Sequence, residues 1–214
     1  MAISLKGKKI LITAGPTWVP LDSVRSISNS ASGKTGILLA NALARLGAKI
    51  TLILGPVPDC RLNKGIRTRH FKYFAELNSL LKEAFKKARY DMVVHSAAVA
   101  DYQPVVYRRN KISSGKKTLK INLKPTPKLV DGFRKAGPDA LLVGFKFEPD
   151  LTGPGLIKKA NGLLKRAGLD LVVANTARRK HYRAYLVSKN NYCGPYLTKE
   201  AMVKNLIRHL KPLT

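Results

Sequence analysis

Short apolar runs alternate along the chain with stretches in which apolar side chains recur every three to four residues. The runs are rich in Ile, Leu and Val, and several end at Gly or Pro, which is typical of buried parallel strands. The run at 66–70 is the weakest of them. Together they predict strands at residues 9–14, 49–54, 66–70, 92–95, 140–145 and 169–174.

Amphipathic helices are predicted between most of these strands. Residues 74–85, for example, place apolar side chains on one helix face and lysines on the other. Ser32 and Thr198 precede helical stretches as N-caps do, and Gly47 and Gly168 follow them as C-terminal glycines do. Helices are predicted at residues 32–46, 74–85, 126–135 (with Pro127 in its first turn), 156–167 and 198–210.

This alternation predicts an α/β fold. Strand–helix–strand units with right-handed crossovers give a doubly wound, mostly parallel, Rossmann-like sheet with helices on both faces. We interpret residues 1–214 as one domain, because the chain contains no internal repeat or linker. The polar, basic stretch 103–123 is expected to leave the sheet as a flap or dimerisation arm, with a weak strand at 118–123. Residues 184–187 are expected in a terminal hairpin.

The charge of the chain is unusual. Forty Lys and Arg against twelve Asp and Glu give a formal net charge of +28 over 214 residues. Such a charge favours non-specific contact with polyanions. The basic residues are nevertheless spread over the whole chain, without a basic tail or interleaved aromatic residues. Dedicated nucleic-acid recognition is therefore not expected.

Targeting and redox features point to the cytoplasm. No apolar run approaches the roughly 20 residues that span a bilayer, and the N-terminus lacks the apolar region of a signal peptide. Cys60 and Cys193 show neither metal-ligand spacing nor a disulfide framework. A cytoplasmic protein without membrane contact is the simplest interpretation.

Candidate chemistry lies beyond the carboxyl ends of the strands, where open α/β sheets bind ligands. The segment 15–34 places small and hydroxyl residues before a helix N-terminus, which suits a phosphate, although a plain helix cap fits equally well. The segment is not a G-x-G-x-x-G fingerprint. Nor is it a Walker A loop, because Ser28 replaces the first glycine before Gly33-Lys34-Thr35.

The segment 96–102 ends another strand with small residues. Asp101 there could contact a ribose, a base or a metal, or could simply cap a helix. His95 is interpreted as a packed core residue, and the sequence shows no Ser–His–Asp or Cys–His relay. Any catalysis would therefore rest on positioning and electrostatic stabilisation.

Taken together, the segments resemble those of 4′-phosphopantothenoylcysteine synthetase, a coenzyme A biosynthesis enzyme often fused behind a flavin-dependent decarboxylase. The resemblance covers nearly the whole chain. It rests on ILITAGPT, PLDSVRSISN and SGKTG within 9–36, SAAVADY at 96–102, KISS at 111–114, PTPKLV at 125–130, GFK at 144–146 and DLVVAN at 170–175.

The resemblance implies a ligase reaction. Members of this enzyme family activate the carboxylate of 4′-phosphopantothenate with a nucleoside triphosphate and Mg²⁺, and the amine of L-cysteine then displaces the nucleotide. CTP is the favoured co-substrate, with ATP as the alternative. The resemblance also implies a homodimer in which an arm of one subunit completes the other's site. FMN is not expected, because the decarboxylase half is absent from the sequence.

The resemblance further implies roles for particular residues. Asn29 would hold the acyl intermediate, Arg25 would seat the pantothenate arm, and Lys111 would neutralise phosphate charge from the flap. The backbone at Ala97 and Ala98 would face the reacting carbonyl oxygen. The nucleotide site would comprise Gly15, Ala98, Asp101, Pro127, Lys128, Leu129, Val130, Phe145 and Lys165, and no protein metal ligand is assigned.

The sequence departs from the family at the helix before 170–175. Leu163 and Ala167 stand where many bacterial members carry triphosphate-binding lysines. Lys165 and Arg166, or Lys158 and Lys159, are alternative substitutes. A catalytically inactive nucleotide- or nucleic-acid-binding relative and a Rossmann-type oxidoreductase are the competing hypotheses. The joint presence of Asn29, Asp101 and Lys111 argues against the first, and the missing glycine fingerprint argues against the second.

Overall fold

The computed structural model describes residues 5–115, 117–178 and 181–210. In chain order its elements are β1 (Lys9–Ala14), β2 (Trp18–Pro20), β3 (Ser26–Ser28), α1 (Lys34–Arg45), β4 (Lys49–Leu54), β5 (Arg67–His70), α2 (Phe74–Lys87), β6 (Met92–His95), β7 (Tyr102–Pro104), β8 (Leu123–Pro125), a 3₁₀ helix (Leu129–Gly132), α3 (Phe133–Ala136), β9 (Leu141–Phe147), α4 (Gly153–Ala167), β10 (Leu171–Arg178), β11 (His181–Ser188), β12 (Asn191–Tyr196) and α5 (Lys199–His209).

An eight-stranded sheet organises the chain, in the order β12-β11-β10-β9-β6-β1-β4-β5. The six strands from β10 to β5 run parallel, and β11 and β12 add an antiparallel edge. Ile10 of β1 pairs with Ile50 of β4 on one side and with Met92 of β6 on the other. This arrangement confirms the predicted mostly parallel, doubly wound sheet.

Helices cover both faces of the sheet, as predicted. On one face, α1 and α5 bury Leu39, Leu43 and Met202 against β1, β4 and β10. On the other face, α2, α3 and α4 bury Leu77 and Leu156, among others. Because both faces are covered, the central strands read as continuous apolar runs rather than as alternating ones.

Several helix ends follow the predicted signals. Gly47 and Gly168 both have positive φ, and Thr198 accepts a hydrogen bond from the backbone of Ala201 at 3.0 Å. Ser32 is not the N-cap of α1, contrary to the prediction. Gly33 takes that place in the left-handed conformation, with φ 66°, and Ser32 Oγ instead accepts a 3.4 Å hydrogen bond from the N–H of Lys34, the first residue of the helix.

The predicted helix at 126–135 is wrong over its first three residues, 126–128. The Thr126 N–H donates to the carbonyl of Asp101 at 2.9 Å, and its hydroxyl donates to the carbonyl of Ala100 at 2.6 Å. These contacts hold the chain extended, so helical structure begins only at the 3₁₀ turn and Pro127 lies before it.

Two small antiparallel ribbons, β2–β3 and β7–β8, lie outside the main sheet. The strand predicted at 118–123 lies instead at Leu123–Pro125, where it pairs with β7. The predicted excursion from the sheet is confirmed, since residues 105–122 connect this pair. We refer to residues 102–125 as the arm. Among the described residues, no helix combines the length and apolar character needed to cross a bilayer.

Candidate functional site

The reversal of strand order lies between β1 and β6. From β1 the chain builds β4 and β5 on one side, and it then returns to place β6 on the other side. The turns after β1 and β6 stay hydrogen-bonded beyond the strands: Ala98 N–H donates to Gly15 O at 2.9 Å, and Thr17 N–H donates to Ala98 O at 3.2 Å. Ligands bind at such a switch point, so the predicted location is formed here.

Gly36 allows α1 to approach both strands. A Cβ on Gly36 would lie 2.5 Å from Ala14 Cβ and 2.6 Å from Ser96 Oγ. Gly15 has φ 83°, and a Cβ there would lie 3.0 Å from a side-chain atom of Val57. The first turn of α1 therefore lies directly over the turns that follow β1 and β6.

The buried Thr13 and the half-buried His95 form a polar pair below the site. Thr13 Oγ1 lies 2.8 Å from His95 Nδ1, and the His95 ring meets Phe133 edge-on at 5.0 Å. Burial lowers the pKa of His95 to about 4. His95 is therefore neutral near pH 7, which agrees with its interpretation as a packed residue.

A cleft of about 610 Å³ opens above these turns. Asn29 lies at its edge and donates from Nδ2 to the carbonyl of Ala98 at 3.1 Å. The structure thus brings together five predicted site residues, from three separate parts of the chain. They are Gly15, Asn29, Ala97, Ala98 and Phe145.

The N–H groups of Ala97 and Ala98 are hydrogen-bonded within the protein. Ala98 donates to Gly15 O at 2.9 Å, and Ala97 donates to Thr13 Oγ1 at 3.3 Å. The bond from Ala97 is the longer of the two. Their predicted contact with a reacting carbonyl oxygen remains a prediction.

Asp101 and the segment 125–130 form a second group beside the cleft. Lys128 Nζ forms an ion pair with the exposed Asp101 carboxylate. Leu129 and Val130 are half-buried against the core face that carries α2 and α4, whereas Pro127 is exposed. The structure joins the predicted residues Asp101 and Lys128, but the side chains of 127–130 do not line the cleft itself.

Arg25 and Lys111 lie on two segments that are hydrogen-bonded to each other. The Arg25 guanidinium donates to the carbonyl of Ile112 at 3.3 Å, which places Lys111 next to the loop that carries Arg25. Both side chains are exposed. Asp22 lies between the two segments and accepts hydrogen bonds from each.

Three lysines that the sequence analysis did not select line the cleft: Lys34, Lys146 and Lys199. Lys34 forms an ion pair with Glu200 at 3.1 Å, and Lys146 forms one with Glu148 at 2.9 Å. The GFK motif contains Lys146, and Gly33-Lys34 opens a helix, so the sequence marks two of these lysines. That they lie at one cleft depends on the order of the strands in the sheet.

Lys165 lies elsewhere. It lines a separate groove on α4, together with Lys158, Tyr185 and Tyr192. Because α4 runs back from the carboxyl end of β9 towards the amino end of β10, its last turn lies away from the cleft. The structure therefore does not bring Lys165 to Phe145, contrary to the expectation that both contact one nucleotide.

Residues 5–211 match the family described as DNA/pantothenate metabolism flavoprotein C-terminal domain. The chain belongs to this family. The membership agrees with the resemblance seen in the sequence motifs.

Curated relatives share about a third of the sequence. A cysteine/cysteine sulfinic acid decarboxylase from an unknown prokaryotic organism is 35% identical over 98% of this chain and 59% of that protein. The coenzyme A biosynthesis bifunctional protein CoaBC of Thermococcus kodakarensis is 38% identical over 82% of this chain and 43% of that protein. The chain thus spans about half the length of the curated relatives it matches.

A solved structure supports the same family fold. The DNA/pantothenate metabolism flavoprotein from Streptococcus pneumoniae superposes with a TM-score of 0.87 at 28% identity, covering 97% of this chain and all of that one. Among the residues described in the present structure, no three His, Cys, Asp or Glu side chains cluster as metal ligands would.

Proposed function

We propose that this protein is a ligase that joins 4′-phosphopantothenate to L-cysteine at the expense of a nucleoside triphosphate. The observation that carries the proposal is the contact between Asn29 and the Ala97–Ala98 turn at the switch-point cleft. It is supported by membership of a pantothenate-metabolism family and by similarity to CoaBC.

The reaction needs two displacements. A carboxylate oxygen of 4′-phosphopantothenate attacks the α-phosphorus, the bond to the β-phosphate breaks, and pyrophosphate leaves. The cysteine nitrogen then attacks the acyl carbon, the carbon–oxygen bond to the nucleotide breaks, and the nucleoside monophosphate leaves as the nitrogen loses a proton. Neither step requires a protein nucleophile, so positioning and charge stabilisation are sufficient.

Asn29 holds the acyl intermediate in this proposal. The Asn29 Nδ2 donates to Ala98 O. Its Oδ1 can turn towards the cleft, or the hydrogen bond from Nδ2 to Ala98 O can be exchanged for a hydrogen bond to the substrate. A carboxamide offers both a donor and an acceptor at a centre whose charge changes during the reaction. Arg25 and Lys111 supply positive charge for the phosphorylated substrate.

The nucleotide phosphates are bound by the cleft lysines and the first turn of α1. Lys34, Lys146 and Lys199 place positive charge around the cleft, and the free N–H groups of a helix N-terminus favour anions. Phe145 forms a wall for the base. CTP is the favoured nucleotide and ATP the alternative.

The described side chains lining the cleft do not fit a protein-held Mg²⁺ ion, because none of them is a carboxylate. A magnesium ion in this site would be bound by the phosphates of the nucleotide itself.

A homodimer is part of the proposal. Exposed large apolar side chains concentrate on the arm and on the β2–β3 ribbon, and water-exposed apolar surface of this kind marks an interface. They are Val24, Ile27, Tyr102, Val105, Val106, Tyr107, Leu119, Ile121 and Leu123. Sedimentation of the protein and of Val106→Asp tests this: a dimer that dissociates in the variant supports it, and a monomeric unaltered protein contradicts it.

Product formation tests the ligase itself. The protein is incubated with 4′-phosphopantothenate, L-cysteine, Mg²⁺ and either CTP or ATP, and 4′-phosphopantothenoylcysteine is measured by mass spectrometry. The proposal expects amide product with at least one nucleotide. Absence of product with both nucleotides would show that the protein is not this ligase.

A further inference from the structure

Asp22 is a buried carboxylate in a region of exposed loops. Its side chain is 0% exposed, whereas that of its neighbour Arg25 is 42% exposed. Oδ1 accepts the N–H groups of Val24 at 2.8 Å and Arg25 at 2.7 Å, which closes the turn between β2 and β3. One oxygen is therefore sufficient for the local turn.

The second oxygen reaches a distant segment. Oδ2 accepts the N–H of Ile112 at 3.0 Å, a residue 90 positions along the chain and within the arm. Ile112 is itself buried at 6% exposure, and its carbonyl accepts from Arg25 Nη1 at 3.3 Å. Both backbone polar groups of Ile112 are thus bonded to the loop that carries Arg25.

The same hydrogen bonds stabilise the ionised form of Asp22. The hydrogen bonds from Ile112 and then Val24 lower the pKa of Asp22, against the opposing effect of burial. The carboxylate is ionised near neutral pH, and hydrogen bonds to ionised groups are stronger than neutral ones. Asn cannot replace Asp22, because its carboxamide has only one acceptor oxygen. Its NH₂ group would face a backbone N–H group, and two donors cannot form a hydrogen bond.

We propose that Asp22 is a positioning residue that fixes the Lys111 segment of the arm against the Arg25 loop. This contact fixes the distance between the Arg25 and Lys111 cations, which bind the phosphorylated acyl substrate. The kinetic part of the inference rests on the proposed ligase function, whereas the structural part does not.

Asp22→Asn tests the inference, with Asp91→Asn as the matched control. Asp91 also accepts a distant backbone N–H, from Lys9 at 2.8 Å, and lies 3.6 Å from a lysine, but it directly precedes β6, at the amino ends of the parallel strands. Trypsin can cleave the arm after Arg108, Arg109 and Lys111. Asp22→Asn should speed this cleavage about tenfold while Asp91→Asn leaves it unchanged.

The kinetic readout separates positioning from general destabilisation. The KM for 4′-phosphopantothenate should rise about tenfold in Asp22→Asn, with the KM for cysteine changed less than about twofold. Equal trypsin rates in the unaltered protein and Asp22→Asn, or equal changes in both variants, would overturn the inference. If the unaltered protein makes no product, the ligase proposal fails while the trypsin result still decides the arm contact.

Amide exchange in the unaltered protein covers the case in which Asp22→Asn does not fold. The inference expects the Ile112 amide to exchange at least about tenfold more slowly than those of Lys111 and Ser113. Exchange of Ile112 at the same rate as its neighbours would overturn it.

Discussion

The Asn29 carboxamide donates from Nδ2 to the carbonyl oxygen of Ala98 across 3.1 Å, joining the loop after β3 to the turn after β6. The two residues are 69 positions apart in the chain. Their contact forms one edge of the switch-point cleft, and it connects the two segments that carry the predicted chemistry.

Asn29→Asp should stall the reaction while sparing nucleotide binding. The substituted carboxylate cannot donate to Ala98 O, and it adds negative charge beside the acyl group. Turnover should fall about a hundredfold or more, while the dissociation constant for nucleotide, measured by calorimetry, changes less than about threefold. Equal loss of turnover and nucleotide binding would mean that Asn29 is structural.

Lys146→Ala should raise the KM for nucleotide about tenfold, because Lys146 lines the cleft where we place the phosphates. Lys165→Ala is the control, since Lys165 lines the separate groove on α4. Its nucleotide KM should stay within about twofold of the unaltered protein. A larger effect in Lys165→Ala than in Lys146→Ala would place the phosphates on α4 instead.

Gly36→Ala should destabilise the fold. Its Cβ would meet Ala14 Cβ and Ser96 Oγ at 2.5 and 2.6 Å, so the first turn of α1 would have to move off the sheet. We expect the free energy of unfolding in urea to fall by about 1–3 kcal/mol. Nucleotide affinity should fall with it, because the same turn lies over the cleft.

Gly162→Ala is the matched control within α4. A Cβ at Gly162 meets nothing within 4 Å. Because Ala favours helix over Gly, this variant should be more stable by about 0.5–1 kcal/mol. A similar loss of stability in both variants would refute the packing explanation for Gly36.

His95 should make stability depend on pH in the mildly acidic range. Its pKa is about 4 in the folded protein and 6.5 when exposed. Between these values the unfolded chain binds the proton and the folded chain does not, so this contribution is complete above pH 6.5 and is lost as the pH falls towards 4. The loss should be on the order of 1–3 kcal/mol.

Urea unfolding between pH 7 and 5 measures the effect while most carboxylates remain ionised. His95→Asn should flatten the pH dependence in this range. An unchanged slope in His95→Asn would show that His95 is not the group responsible.

Much of the fold is predictable because its signals are local. The apolar run of β1 and the glycines at 47 and 168 depend on neighbouring residues alone, and each indicates the observed element. Thr126 illustrates the limit. Its hydrogen bonds to Ala100 and Asp101 come from 25 or more positions away, and they override a helical pattern.

The site was predictable where motifs adjoin strand ends, and less so where it depends on tertiary geometry. The switch-point rule indicates the segments that contain Gly15, Asn29 and Ala98, and the family resemblance selects these residues within them. Lys165 was selected and Lys146 was not, because the direction of α4, which places Lys165 away from the cleft that Lys146 lines, is a tertiary feature. Asp22 was missed because its contact with Ile112 has no signature in the sequence.

Pyrophosphate release tests the central claim most directly. With 4′-phosphopantothenate, L-cysteine, Mg²⁺ and CTP or ATP, the account predicts one pyrophosphate released per amide formed, with release dependent on 4′-phosphopantothenate and nearly abolished in Asn29→Asp. Orthophosphate in place of pyrophosphate, or release that is independent of 4′-phosphopantothenate, would contradict it.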